Sequence, residues 1–422
     1  EIMIIEIAWK NVWRNKSRSL IVIAAVTIGV FAGVFSIAAM NSSVVQRIDA
    51  AVNEELSHIQ VNNKDFRSSA DIQNIIEDYP SLVSVLDTTP GIINNTGRIV
   101  IRGIASTASK STGVEINGID VEMDRKMFTL AEKLIPGTGS FFGAETKFNT
   151  VFIGEKLAKE LNIIRYTLTQ DAFLKLEADG IPSAVISKLG SLSDQKYPTD
   201  KKFSNAVDNI LTSSEKKKFS FKIKEAAWSY REGSKIILSF LDINSNQTGA
   251  AFRVSGIFRT NNDMFESLSV FVPVNELRVL TGMKEGTYHR VIAKLDNNDL
   301  TDEITPKLRE SLPGLEVLSW KEIQPDLAMM ADMMQQIYGI FMAIILAALA
   351  FGIVNTMLMA VLERTREIGM LAAIGMNRRK IFSMIMLESV FLSIVGGIMG
   401  MIVSGAVIAA TAKNGINLVK YS

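Results

Sequence analysis

Few residues of this chain could carry covalent chemistry. There is no cysteine, and the only two histidines, His58 and His289, fall on separate predicted strands. This removes thiolate nucleophiles and disulfides, and a two-histidine metal site would need a converging carboxylate that the spacing does not supply. The phosphate-cradling pattern G-x-x-x-x-G-K-[ST] is absent, as are H-E-x-x-H and G-x-S-x-G. Gly137-Thr-Gly-Ser140 has the composition of a phosphate loop without its pattern and reads as a turn. No catalytic, cofactor or metal residue is expected. The chemistry that remains is recognition, concentrated in Glu363 to Lys380, where Glu363, Arg364, Arg366 and Glu367 precede the apolar Ile368, Met370, Leu371 and Ile374. An apolar helix face rimmed by charge marks a binding surface. Resting on a membrane surface is the competing use of such a face.

The elements flanking this charged elbow must be membrane helices. Met333 to Leu362 contains no Asp, Glu, Lys or Arg, and Ile381 to Ala412 contains only Glu388. Each run exceeds the roughly 20 apolar residues that cross a bilayer. Leu20 to Met40 is a third uncharged run, too long for a signal-peptide core and followed by no small-residue cleavage site. Lys10, Arg14, Lys16 and Arg18 before it, and Arg364, Arg366, Arg378, Arg379 and Lys380 in the elbow, place both segments in the cytoplasm. Residues 1–19 read as an interfacial amphipathic helix, with Ile5, Ala8, Trp9, Val12 and Trp13 on one face and Glu6, Lys10 and Arg14 on another.

The expected fold is an integral membrane α-helical protein with a large extracytoplasmic α+β domain between spans one and two. The spans fall at 20–41, 337–362 and 381–411, the domain at 42–336, and the elbow, a coupling helix, at 363–380. Within the domain, alternating patterns predict strands near 57–61, 98–102, 113–119, 234–240, 251–258, 269–272 and 288–295, with a hairpin turn at Asn244 to Gln247. Ile72 to Glu77 is expected to be helical and to continue to Leu86 with an interruption at Tyr79-Pro80. Residues 165–231, rich in Ser, Lys and Asp, read as an inserted subdomain of short helices. Inside the spans, Glu388 and Asn355 are candidate functional residues, because polar groups in a bilayer are costly. Gly396, Gly397, Gly400, Ser404 and Gly405 offer small faces for helix packing. A net charge of +1, with basic residues clustered only beside the spans, argues against a nucleic-acid partner and for contact with membrane lipid.

The segment Glu363-Arg-Thr-Arg-Glu-Ile-Gly-Met-Leu-Ala-Ala-Ile-Gly-Met376 resembles the elbow of the FtsX-like permeases of ABC transporters, which include MacB-type efflux pumps and the Lol lipoprotein-releasing permeases. Gly352-Ile-Val-Asn-Thr-Met-Leu-Met359, Leu387-Glu-Ser-Val-Phe-Leu-Ser-Ile-Val-Gly-Gly-Ile-Met-Gly400 and the opening Ala8 to Leu20 extend the likeness. The resemblance implies a bacterial inner-membrane permease subunit that pairs with a second copy or homologue and with a cytoplasmic ABC ATPase dimer. ATP and magnesium would sit on that partner, leaving this chain no cofactor and no enzymatic activity of its own. It assigns coupling to Glu363, Arg364, Arg366, Glu367, Ile368 and Leu371. It implies work on lipoproteins or amphiphiles, with a periplasmic carrier or adaptor, and lipoprotein release ranks ahead of MacB-type efflux. A signalling scaffold that activates a periplasmic hydrolase, or an anchored receptor without an ATPase, are the alternatives of another class. Family members have four spans, so residues 412–422 are expected to begin the link to a fourth.

Overall fold

The computed structural model describes residues 9, 12–14, 16–69, 71–143, 148–231 and 233–414. The expected interfacial helix at 1–19 and the link at 412–422 therefore lie largely outside the described residues. Two compact units emerge, Arg47–Gln324 on one hand, and Glu1–Gln46 with Pro325–Ser422 on the other.

The Arg47–Gln324 unit is built on eleven described strands. They are β1 (Ile59–Asn63), β2 (Ile92–Ser106), β3 (Ser111–Ile119), β4 (Thr150–Gly154), β5 (Ile164–Tyr166), β6 (Trp228–Tyr230), β7 (Lys235–Leu241), β8 (Gln247–Phe258), β9 (Ser269–Pro273), β10 (Arg290–Leu295) and β11 (Leu315–Ser319). Nine of them form one sheet in the order β11-β1-β10-β2-β3-β9-β4-β8-β7. The fifteen-residue β2 serves two neighbourhoods. Its first half pairs with β10, while its second half pairs with β3 and also with β7, Gly103 opposite Phe240 and Ser106 opposite Ile237. That second pairing closes β2-β3-β9-β4-β8-β7 into a barrel, which has no free edge. Gly103 sits on the seam, where an added Cβ would lie 2.7 Å from the Ser239 carbonyl oxygen. Ile99, Ile116, Leu238, Phe252 and Val270 belong to the core of this sheet.

The alternating expectation holds best in β7, where Ile236, Leu238 and Phe240 are buried between more exposed neighbours. The hairpin turn follows, with Asp242 accepting from the Asn244 and Asn246 amides. The expected helix at Ile72 to Glu77 is absent: Ile76 forms a bridge with Tyr288, and the helix begins only at Tyr79, ending at Thr88. Pro80 occupies the first turn, where the missing N–H costs nothing, and the Asp78 carboxylate accepts from the Ser81 amide. Proline thus starts this helix instead of interrupting it.

The segment between β5 and β6 holds helices Gln170–Ala178, Ser183–Leu189, Asp200–Asp208 and Ser213–Ala227 around their own core of Leu176, Leu189, Phe203 and Ile223. Its neck is the antiparallel β5–β6 pair, Ile164 opposite Tyr230. Glu155 anchors the neck. The Tyr230 hydroxyl donates to this carboxylate, and Arg259 donates twice at 2.6 Å.

Among its described residues the other unit contains three helices that are long and apolar enough, by length and composition, to cross a membrane. The first runs over Lys16–Ala50, most of it in this unit; the second over Pro325–Glu363; the third over Arg378–Asn414. The second starts well before the expected 337, because Pro325 and Asp326 suit a first helical turn. Small residues let the helices approach. An added Cβ on Gly29 would fall 2.4 Å from Leu349, and one on Gly400 would fall 2.8 Å from Val30 and 2.9 Å from the Thr27 carbonyl. Thr27 donates its hydroxyl to the Gly396 carbonyl at 3.1 Å. Gly397 and Gly405 meet nothing within 4 Å, so the glycines of the third helix split between a packed and an open face.

Candidate functional site: the charged elbow

The expected single helix over 363–380 is two pieces. The second long helix ends at Glu363, Arg364 breaks the helical conformation at φ −105° and ψ 17°, and a nine-residue elbow helix runs from Thr365 to Ala373. Gly375, at φ +95°, then turns the chain into a conformation that a side chain would resist. The Asn377 side chain accepts from the Arg379 amide at 3.1 Å, so Arg378 to Lys380 form the first turn of the third helix. The glycine and the cap divide what charge patterning alone presents as one segment.

The charged residues of the elbow do different things. Glu367, expected to face an ATPase, is ion-paired with Arg14 of the N-terminal segment. The hydrogen bond from Arg14 holds the Glu367 carboxyl below its usual range. Arg364 is mostly covered and pairs with Glu388 of the third helix at 3.6 Å, so the candidate carboxylate within the spans is buried and joined to the elbow. Ile368 and Leu371 are half-buried, while Glu363 and Arg366 are exposed. Met370 is 62% exposed and Ile374 78%, which makes them the open apolar part of the elbow. Asn355 is exposed on the second helix, away from this cluster in sequence, and the neighbouring Thr356 hydroxyl donates to the Gly352 carbonyl. The Arg14 partnership spans 353 positions, so no local spacing announces it. Opposite charge on the predicted interfacial helix was its only trace. Trp9 of the same segment meets Phe391 of the third helix edge to face, ring centres 5.5 Å apart.

Elsewhere the candidate groups take structural roles. His289 is fully buried, accepts the Val100 amide at Nδ1 (3.0 Å), lies 2.8 Å from the Ile72 carbonyl at Nε2 and stacks on Phe66. His58 accepts the Leu295 amide at 3.2 Å. Burial lowers both imidazoles to about 4. Among the described residues no group of three or more His, Asp or Glu is placed to hold a metal ion. Gly137 to Ser140 is a turn against β8, with the Ser140 amide donating to the Ser255 carbonyl at 2.7 Å.

Comparison with known proteins bears on the elbow and its flanking helices. Residues 339–421 match the FtsX-like permease C-terminal family. The chain is 31% identical over 155 residues to the macrolide export ATP-binding/permease protein MacB of Chlorobium luteolum, covering 37% of this chain and 21% of that protein. It is 35% identical over 85 residues to the ABC transporter permease YknZ of Bacillus subtilis, covering 20% of this chain and 21% of that protein. The alignments thus span about a fifth of the length of these two relatives. Among solved structures, the periplasmic region of MacB from Actinobacillus actinomycetemcomitans aligns with 64% of this chain and 92% of its own length, at 13% identity and a TM-score of 0.30. The elbow lies within residues 339–421, the segment that matches the FtsX-like permease C-terminal family, in a chain similar to ABC transporter permeases of the MacB type.

Proposed function

We propose that the chain is the permease component of an ATP-driven ABC transporter in a bacterial inner membrane, and that it passes the motion of a cytoplasmic ATPase dimer through the elbow to its extracytoplasmic domain. The observation that carries this reading is the exposed apolar pair Met370 and Ile374 on a short helix between two apolar spans, rimmed by Glu363 and Arg366. ATP and magnesium would be held outside these 422 residues, since no phosphate-cradling loop occurs within them. A second permease copy or a homologue completes the membrane part.

The cargo reading shifts from the one that sequence alone favours. Relatives bear the names of macrolide and pyoverdine exporters, so MacB-type efflux of an amphiphile, with an adaptor outside the membrane, now ranks ahead of lipoprotein release. Because Glu367 is committed to Arg14, reversing its charge would test two things at once. Met370→Glu with Ile374→Glu tests docking alone. This double variant should insert and purify like the wild type but lose the co-purifying ATPase. Retention of the ATPase by the double variant would remove the elbow as the docking helix.

A further inference from the structure

The second long helix and the elbow helix are separated by one residue, Arg364, whose backbone is not helical. The direction of the elbow therefore depends on how that residue is held. Its guanidinium lies 3.6 Å from the Glu388 carboxylate, and the two side chains are only 16% and 5% exposed. Glu388 sits ten residues into the third helix, about 15 Å along its axis. The pair ties the end of one long helix to the flank of another across the elbow. By contrast, the Arg14–Glu367 pair at the far side is half-exposed on both partners, where screening and side-chain entropy leave an ion pair with little effect. The two pairs are therefore unequal. A covered pair between neighbouring helices in a low-dielectric setting has a strong orientational hold, and it punishes the loss of either partner.

We infer that Glu388 is a positioning residue for coupling: by holding Arg364, it fixes the angle at which the elbow presents Met370 and Ile374 to the ATPase. This rests on the functional reading above and adds a residue to it. Glu388 touches no cargo and no nucleotide in this scheme; it acts through Arg364. The same geometry gives a partner to the one carboxylate in the otherwise uncharged run from Ile381 to Ala412.

The test uses the purified complex with its ATPase, in proteoliposomes. Spin labels on cysteines at Ala372, which lies on the elbow helix away from Met370 and Ile374, and at Phe382, both exposed, report the elbow against the third helix, and turnover is read on the unlabelled protein. The wild type should give one narrow distance distribution. Glu388→Gln should broaden it and lower ATP turnover at least tenfold at equal ATPase occupancy. The charge exchange Arg364→Glu with Glu388→Arg should restore a narrow distribution and turnover to within about threefold of the wild type. If Glu388→Gln does not accumulate, Arg364→Gln is read in the same way. A Gln variant with a narrow distribution and wild-type turnover overturns the inference, even if its thermal stability falls. Failure of the wild type to bring down an ATPase overturns the functional reading instead, and the distance measurement is still interpretable without it.

Discussion

Mild acid should weaken the Arg47–Gln324 unit through His289, and the structure gives the size of the effect. The folded-state imidazole titrates near 4, because the ring is buried. In the unfolded chain it titrates near 6.5. As pH falls below 6.5 the unfolded chain takes up a proton that the folded chain refuses, so stability present at neutral pH is lost progressively until about pH 4. Between pH 7 and pH 5 this linkage amounts to about 2 kcal/mol for one such histidine. In a unit of this size that corresponds to a fall in Tm of roughly 3–4 °C. The perturbation is His289→Gln, which can still accept the Val100 amide and donate to the Ile72 carbonyl but cannot titrate. It loses the stack on Phe66, ring centres 4.8 Å apart, and should cost about 1 kcal/mol at pH 7.5. Thermal unfolding followed by tryptophan fluorescence reports this unit through Trp228 and Trp320. The variant should start lower than the wild type and lose less on acidification, so that the two cross near about pH 6. His58, also lowered to about 4, contributes to both proteins and cancels in the difference. Parallel decline of both proteins between pH 7 and pH 5 would refute the argument.

Two further outcomes are expected. Burial pushes the Glu155 carboxyl up, but Arg259, Tyr230 and Lys159 outweigh it and bring it to about 2; Glu155→Gln should therefore cost about 3 kcal/mol at neutral pH in thermal or denaturant unfolding, against about 1 kcal/mol for Tyr230→Phe. Because a depressed carboxylate stabilises only above its unfolded value, the Glu155→Gln difference should shrink as pH drops from about 4.5 toward 2. In the long helices, Gly400→Leu should reduce the yield of monodisperse protein on size exclusion because its Cβ has no room beside Val30, whereas Gly397→Leu, with nothing within 4 Å, should behave as the wild type.

How far the sequence was legible depended on the range of each signal. The uncharged runs and the basic elbow are local patterns, and the three long helices lie on them. The strands with strict alternation, such as β7, were visible for the same reason. What escaped was set by distant partners. Only the middle of β2 read as a strand, because its continuation past Gly103 is held by β3 and β7. The helix expected at Ile72 to Glu77 yields to a bridge with Tyr288, far along the chain. At the site, the charges of the elbow were legible but their allegiance was not. Glu367 looks inward to Arg14 and Arg364 to Glu388, pairings that a short window cannot contain. The two glycine faces of the third helix likewise look alike until Val26 and Val30 are placed against one of them.

The helical segment between β5 and β6, with its own core, shapes how the chain reaches this fold. β4 must wait for β8, its parallel partner, and β9, its antiparallel one, which are both made much later, and such non-local pairing is slow. A segment that can collapse on Leu176, Leu189, Phe203 and Ile223 as soon as it emerges, and then zip Ile164–Tyr166 to Trp228–Tyr230, brings the end of β4 close to the start of β7. The flexible loop left to close shrinks from about 80 residues to about 15, which lowers the entropic cost of closure by about 1.5 kcal/mol. On this view the helical segment acts during synthesis as a clasp, shortening the search that the barrel must make before its seam at Gly103 can shut.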